Sequence, residues 1–226
     1  MTLDADPVRT FAQAVNVRLA DDILTGRLAP GARLKLHELC AAYDAGMSPL
    51  REALASLAGR GLVVQDGQRG FRVAPASLAD LADIVETRAR IESLALRLSI
   101  ERGDAVWEGE ILSAFHVLGR HERKPEVLVD EQWEALHRAY HASLTAACGS
   151  ERLRGYCRSL HAQFDRYRRI AAQARGAHAT LTPLDGALVR ATLDRDADRA
   201  GALLERHIAE SGEQVARMLE DHVFLL

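Results

Sequence analysis

The stretch "KLHELCAAYDAGMSPLREALASLAGRGLVVQDGQRGFRVA", residues 35–74, decides how the N-terminal part of the chain folds. "KLHELCAAYDA" predicts a short helix with Leu36, Leu39 and Cys40 inward. Gly46 predicts a turn. Ser48-Pro49 then opens another helix, with Ser48 as its N-cap, Pro49 at the first helical position and Glu52 in the first turn. That helix runs through "LREALASLAGR" to Gly61. Two β-like runs follow, "LVVQ" and "GFRVA", joined by "DGQR", a polar hairpin signal. Upstream, a helix is expected from about Val8 to Thr25, with Phe11, Val15, Val17, Leu19, Ile23 and Leu24 as its stripe. Gly26 and Pro30-Gly31 end it. Helix, helix, turn, helix and hairpin make the plan of a winged helix-turn-helix.

From Ser77 onward the pattern is all helix. Ser77 stands as an N-cap with Asp80 three residues on, a capping box with Asp in place of Glu. Leu81, Ile84, Val85, Ile91, Leu94 and Leu98 repeat along the helix that follows. Further helices are expected at about 106–121, 129–147, 150–175, 183–194 and 196–222. Pro125 and Gly149 separate them, and Thr182 before Pro183 reads as a cap. The expected division is therefore 1–75, a winged helix-turn-helix, and 76–226, an all-α bundle. The fold class is mainly α.

Composition narrows the function. The chain has 226 residues with 48% apolar and 27% charged side chains, an ordinary globular balance. No run approaches the roughly 20 apolar residues of a membrane span. The polar start "MTLDADPVRT" carries no secretory signal, so a cytoplasmic location is expected. Cys40, Cys148 and Cys157 are scattered and odd in number, which suits small buried residues rather than disulfides. Net charge is −3, yet residues 1–75 hold nine basic against eight acidic side chains and the remainder 20 against 24. A small module needs only a local basic face to hold phosphates.

"HRAYHASL", residues 137–144, places His137 and His141 one helical turn apart on one face. The pair alone is compatible with a zinc enzyme, a sensor, or two neighbouring histidines. A zinc peptidase helix needs a glutamate directly after the first histidine, and Arg138 stands there. No nucleophile elbow, P-loop or dinucleotide fingerprint accompanies it, so an enzyme is not expected. A helical sensor or dimerisation module without specific DNA binding remains as an alternative.

"ILTGRLAPGARLKLHELCAAYDAGMSPLREALASLAGRGLV…GFRVAP" resembles the DNA-binding module of GntR-family bacterial regulators. "ETRARIE", "HRAYHASLTAACGS" and "LDRDADRAGALLERHI" resemble the helical ligand-sensing domain of its FadR-like, FCD members. "RYRR" and "ACGS" are similar to the branch that contains a carbon-starvation-induced, glutarate-responsive repressor. The resemblance implies a homodimeric repressor, without a membrane role, that binds double-stranded operator DNA and is released by a small carboxylate effector.

For the DNA face, the resemblance places Ser48, Leu50 and Arg51 at the front of the recognition helix. Arg51 is the best candidate for a forked contact to guanine. A salt bridge to Glu38 or Glu52 is its rival. Arg33, Lys35 and His37 sit where the family approaches the DNA backbone, and Arg69 and Gly70 form the wing tip. Gly46 and Met47 stand where most members have a Ser-Arg pair, so the operator cannot be carried over.

For the sensor, the resemblance implies one divalent metal per chain, Zn²⁺, Ni²⁺ or Mn²⁺. Many members use an Asp and a His four apart, then two histidines 22 apart. Here the set is His137, His141, Asp185 and His207, with the aspartate and one histidine exchanged. Three neutral imidazoles and one carboxylate suit a divalent ion in either order. His178 is the substitute should Asp185 fail. Arg88, Arg166 and Tyr167 are the expected effector contacts, with an Arg88–Glu92 ion pair across one turn as the alternative. A solvated helix face is favoured for the "RYRR" run. His116, His121, His161 and His222 are expected to be structural or exposed.

Overall fold

A computed structural model describes residues 7–66, 70–122, 131–175 and 183–220. The chain divides into two compact units, Met1–Ala76 and Ser77–Leu226. The described residues are mainly helical, as the periodicity predicts, with nine helices and three short strands.

The first unit runs α1 (Pro7–Leu24), β1 (Arg33–Leu34), α2 (Leu36–Tyr43), α3 (Met47–Gly59), β2 (Val63–Gln65) and β3 (Phe71–Val73). The hairpin pairs Val63 with Val73 and Gln65 with Phe71 in an antiparallel ladder. β1, absent from the sequence reading, adds the third strand by pairing Arg33 with Arg72 and Leu34 with Phe71. Two residues are too few for alternation to register. The core is apolar and joins Val15, Leu19 and Ile23 of α1 to Leu50, Leu54 and Leu57 of α3 and to Leu34, Val63 and Val73 of the sheet. The amide of Asn16 donates to Ala53 O at 3.2 Å, which ties α1 to α3.

One detail of the turn, the cap of α3, differs from expectation. Asp44–Gly46 link α2 and α3, as the turn at Gly46 predicts, and the left-handed residue is Asp44 (φ 49°, ψ 47°). An aspartate tolerates that conformation better than most side chains. Gly46 occupies the extended N-cap position of α3, and Ser48 lies inside the helix without capping it. The helix thus starts earlier than Ser48-Pro49 suggested, and Pro49 still falls in its first turn, where its missing N–H costs nothing.

The second unit comprises α4 (Leu78–Arg102), α5 (Ala105–Glu122), α6 (Glu131–Leu144), α7 (Glu151–Arg175), α8 (Pro183–Leu193) and α9 (Ala197–Glu220). Ser77 caps α4 as expected, accepting from Asp80 N at 3.1 Å. The reciprocal half of the box is different: Ser77 N donates to the Tyr167 hydroxyl at 3.1 Å, and that hydroxyl donates to Asp80 at 2.5 Å. The expected cap at Thr182 lies outside the described residues.

Leu96, Ile100, Trp107, Trp133, Tyr140, Leu188, Leu204 and Ile208 form the main apolar core of this unit. α4 and α9 pack closely, and a Cβ at Gly212 would stand 2.6 Å from a Val85 methyl. Cys148 and Cys157 are buried free thiols, as expected, and burial pushes Cys157 up to about 12. No described helix is long and apolar enough to cross a membrane.

Candidate functional site

Polar side chains meet inside the second unit, where α4, α6, α7, α8 and α9 face one another. α6 supplies His137 and His141, whose ring centroids are 4.6 Å apart. His207 of α9 approaches His141 at 5.2 Å, and His161 of α7 approaches it at 4.9 Å. Three sets of ligand atoms lie within 4.8 Å of one another: His137, His141 and His207; Glu92, His141 and His161; His137, His161 and Asp165. Helical spacing explains the convergence. Arg88 and Glu92 are one turn apart on α4, as are His161 and Asp165 on α7, and Arg168 follows one turn later.

Among the described residues, Asp185 belongs to none of these sets. Its carboxylate is buried and lies 3.2 Å from Nδ1 of His207. That spacing keeps it beside His207, its expected partner in the quartet. A carboxylate so placed can share an ion with the imidazole or orient it from outside the coordination sphere. His178 lies outside the described residues.

Two buried arginines border the histidines. Arg88 pairs with Glu92 at 2.7 Å, lies over the Phe164 ring and contacts Nδ1 of His161 at 3.0 Å. The expected ion pair and a place at the site are both realised in this one side chain. Arg168 pairs with Glu134 at 2.5 Å and Asp165 at 2.6 Å, and contacts Nδ1 of His137 at 3.1 Å. Its guanidinium lies over Trp133, on which His137 also stacks.

The "RYRR" run is therefore not a solvated face: Arg166, Tyr167 and Arg168 are all buried. Tyr167 is also not where an effector contact was expected, because its hydroxyl serves Asp80 and Ser77 at the start of α4. Burial lowers Arg166, with Tyr167 and Asp80 acting the other way, so it belongs to the same corner. Arg168 takes the place at the histidines.

Burial holds His137, His141 and His161 well below the ordinary imidazole range, and nearby positive groups add to the shift. Burial lowers His207 too, with Asp185 opposing. Neutral imidazoles are the metal-binding form. Both ring nitrogens of His141 are buried without a hydrogen-bond partner. Leaving such groups unmet inside a protein costs on the order of 1–3 kcal/mol each. A divalent cation fits that donor set.

Sequence reasoning missed His161 and Asp165 at the site, and it named Glu92 only as the partner of Arg88 and Arg168 only within the "RYRR" run. The available signal was the stripe His161, Asp165, Arg168 on α7, polar where a packed helix face should be apolar.

In the first unit, Arg33, Lys35, His37, Ser48 and Arg51 are exposed. Lys35 pairs with Glu38 at 2.8 Å, and Arg33 lies 3.9 Å from Asp66. Arg51 has no ion-pair partner among the described residues, so its expected rival bridges do not form. Leu50 is fully buried in the core of this unit and cannot read a base, a correction that follows from α3 turning that position inward. Gly70 has φ +112°, which a side chain rarely adopts, and its carbonyl accepts from Asp66 N across the hairpin. Arg69 lies outside the described residues.

Comparison with known proteins agrees with both halves. Residues 11–73 match the bacterial regulatory proteins of the gntR family, and residues 83–210 match the FCD domain. The chain is 37% identical to the HTH-type transcriptional regulator BphR of Paraburkholderia xenovorans, covering 92% of this chain and 88% of that one. It is 34% identical to the HTH-type transcriptional repressor GlaR of Escherichia coli, covering 84% and 89%. A crystal structure of a GntR-family regulator from Pseudomonas syringae superposes with a TM-score of 0.57 at 25% identity, covering 96% and 89%. A winged helix-turn-helix joined to a helical domain with a polar heart, matched along nearly all its length, makes this chain a member of the GntR family of transcriptional regulators, FCD type, and not an enzyme.

Proposed function

We propose that the chain is a homodimeric repressor whose second unit holds one divalent cation and senses a small carboxylate. The observation that carries this reading is the convergence of His137, His141 and His207 from two helices, with both nitrogens of His141 unmet. These three imidazoles hold the ion, with Asp185 beside His207 as the carboxylate of the set. Zn²⁺, Ni²⁺ and Mn²⁺ all suit such ligands. The bound ion would supply a positive centre for a carboxylate, and Arg88 adds a charge-assisted donor at the same place. The repressor GlaR supports the sign of the response by its name alone.

On the DNA side, Ser48 and Arg51 lie on the exposed face of α3, which enters the major groove. Arg33, Lys35 and His37 meet the phosphates, and Gly70 lets the backbone of the wing approach the minor groove. Two such heads in a dimer read a pseudo-palindrome. An effector releases the DNA only insofar as it prefers the arrangement that does not bind the operator.

A gel-shift assay with DNA upstream of the chain's own gene tests this reading. Discrete, salt-sensitive binding that a scrambled duplex does not share is expected. Equal affinity for both duplexes at moderate salt would leave a sensor or dimerisation module without specific DNA binding.

A further inference from the structure

The four clustered imidazoles fall into two classes by their hydrogen bonds. Arginine carries N–H donors and no acceptor. Nδ1 of His137, 3.1 Å from Arg168, is therefore an acceptor, as is Nδ1 of His161, 3.0 Å from Arg88. A neutral ring has one lone pair available in its plane, and in these two rings an arginine already occupies it. His141 is the opposite case, with no hydrogen-bond partner at either nitrogen. Nδ1 of His207 lies 3.2 Å from Asp185, and no arginine is hydrogen-bonded to either of its ring nitrogens among the described residues.

A cation needs the lone pair that the arginine holds. Moving the ring proton of His137 to Nδ1 would free Nε2, but would set an N–H against the N–H of Arg168. By either route Arg168 must leave His137 before that ring can ligate. The protein is built to let it go. Arg168 keeps Glu134, Asp165 and the face of Trp133 when it withdraws. Arg88 likewise keeps Glu92 and Phe164. Neither buried guanidinium is stranded without a counter-charge, the condition that makes breaking a buried pair so costly.

We propose that Arg168, and Arg88 at the second ring, are resident competitors of the cation: each holds the lone pair of one imidazole and yields it on loading. This regulation of cation affinity rests on the reading that the second unit binds a divalent ion. It makes loading an exchange at His137, whereas His141 and His207 are open from the start.

Removing Arg168 alone would also strip a charge from the site and tighten any cation for that reason. The test therefore uses the double variant Arg168→Met with Glu134→Gln, in which one positive and one negative charge leave together. Glu134 belongs to none of the candidate ligand sets, so no ligand is lost. Titration with Zn²⁺ against a competing chelator is expected to show about tenfold tighter binding than wild type, the worth of one charge-assisted hydrogen bond that need not be broken. Affinity equal to or weaker than wild type would overturn the proposal.

Nitrogen-15 spectra of the unsubstituted protein give a second measurement, independent of how the variant folds. Without metal, Nδ1 of His137 is expected as an unprotonated, hydrogen-bonded nitrogen, and one equivalent of Zn²⁺ should shift the Arg168 guanidinium signals. Zn²⁺ uptake with those signals unmoved would overturn the competitor role alone. A wild-type chain that takes up no Zn²⁺ would overturn the metal reading as well.

Discussion

The two units place their polar side chains oppositely. In the first, the buried side chains among the described residues are hydrophobic, while Arg33, Lys35, His37 and Arg51 face solvent. In the second, Arg88, Glu92, His141, His161, Arg168 and Asp185 are buried in the bundle. An apolar core with exposed charge needs nothing more to be stable, and its charges are free to meet an external polyanion. A buried polar cluster is costly unless every group is met. Its cost is the physical reason to look for a ligand inside the second unit and for DNA outside the first.

Substitutions can break this contrast from either side, and the largest effect belongs to the apolar core. Leu54 is fully buried in the first unit, so Leu54→Ala should cost about 2–5 kcal/mol of stability. Chemical denaturation should show the loss in that unit, with DNA binding impaired and cation uptake retained. Equal loss of cation uptake would mean that the two units do not divide their work as described.

Next in size is the exposed face. Arg51→Ala should weaken specific DNA binding by about 1–3 kcal/mol, as a lost forked contact to guanine does. Gel shift against a scrambled duplex checks it, with melting temperature and metal content expected to stay at wild-type values. A uniform loss on both duplexes would make Arg51 a phosphate contact instead.

The cluster also predicts a response to pH. Burial depresses His137, His141, His161 and His207, whereas an unfolded imidazole titrates near 6.5. As pH falls through about 6.5, the unfolded chain takes up protons that the folded chain refuses. The stability is fully present above that value and is lost progressively toward the lower folded values. Melting of metal-free protein between pH 7.5 and 5.5 should show it, and an unchanged melting temperature would contradict the burial of neutral rings. The smallest expected effect is that of Tyr167→Phe, which removes the hydroxyl between Ser77 and Asp80 and should cost about 1 kcal/mol, with cation affinity unchanged. A change in cation affinity would return Tyr167 to the site.

The same contrast explains what was legible in the sequence. The head was readable because its signals are local: the spacing of Leu36, Leu39 and Cys40, the breaks at Gly26 and Gly61, and the polar "DGQR" hairpin. Its errors were local as well, since Ser48 was assigned the cap position that Gly46 fills. Leu50 was misjudged because being near the front of a recognition helix does not say which way a side chain turns. In the sensor, His137, His141 and His207 were recoverable from their spacing within a resemblance. His161 and Arg168 were not, because their partners lie on other helices, 73 positions from His161 to Arg88 and 31 from Arg168 to His137. Helical periodicity reports which residues share a face, and only packing reports what that face meets.

Metal content tests the central claim most directly. Purified protein, dialysed without chelator and analysed by elemental mass spectrometry, should hold about one divalent ion per chain, and the variant His141→Ala with His207→Ala should hold none. Wild type free of metal after exposure to Zn²⁺, Ni²⁺ and Mn²⁺, or a double variant that retains a full equivalent, would contradict it.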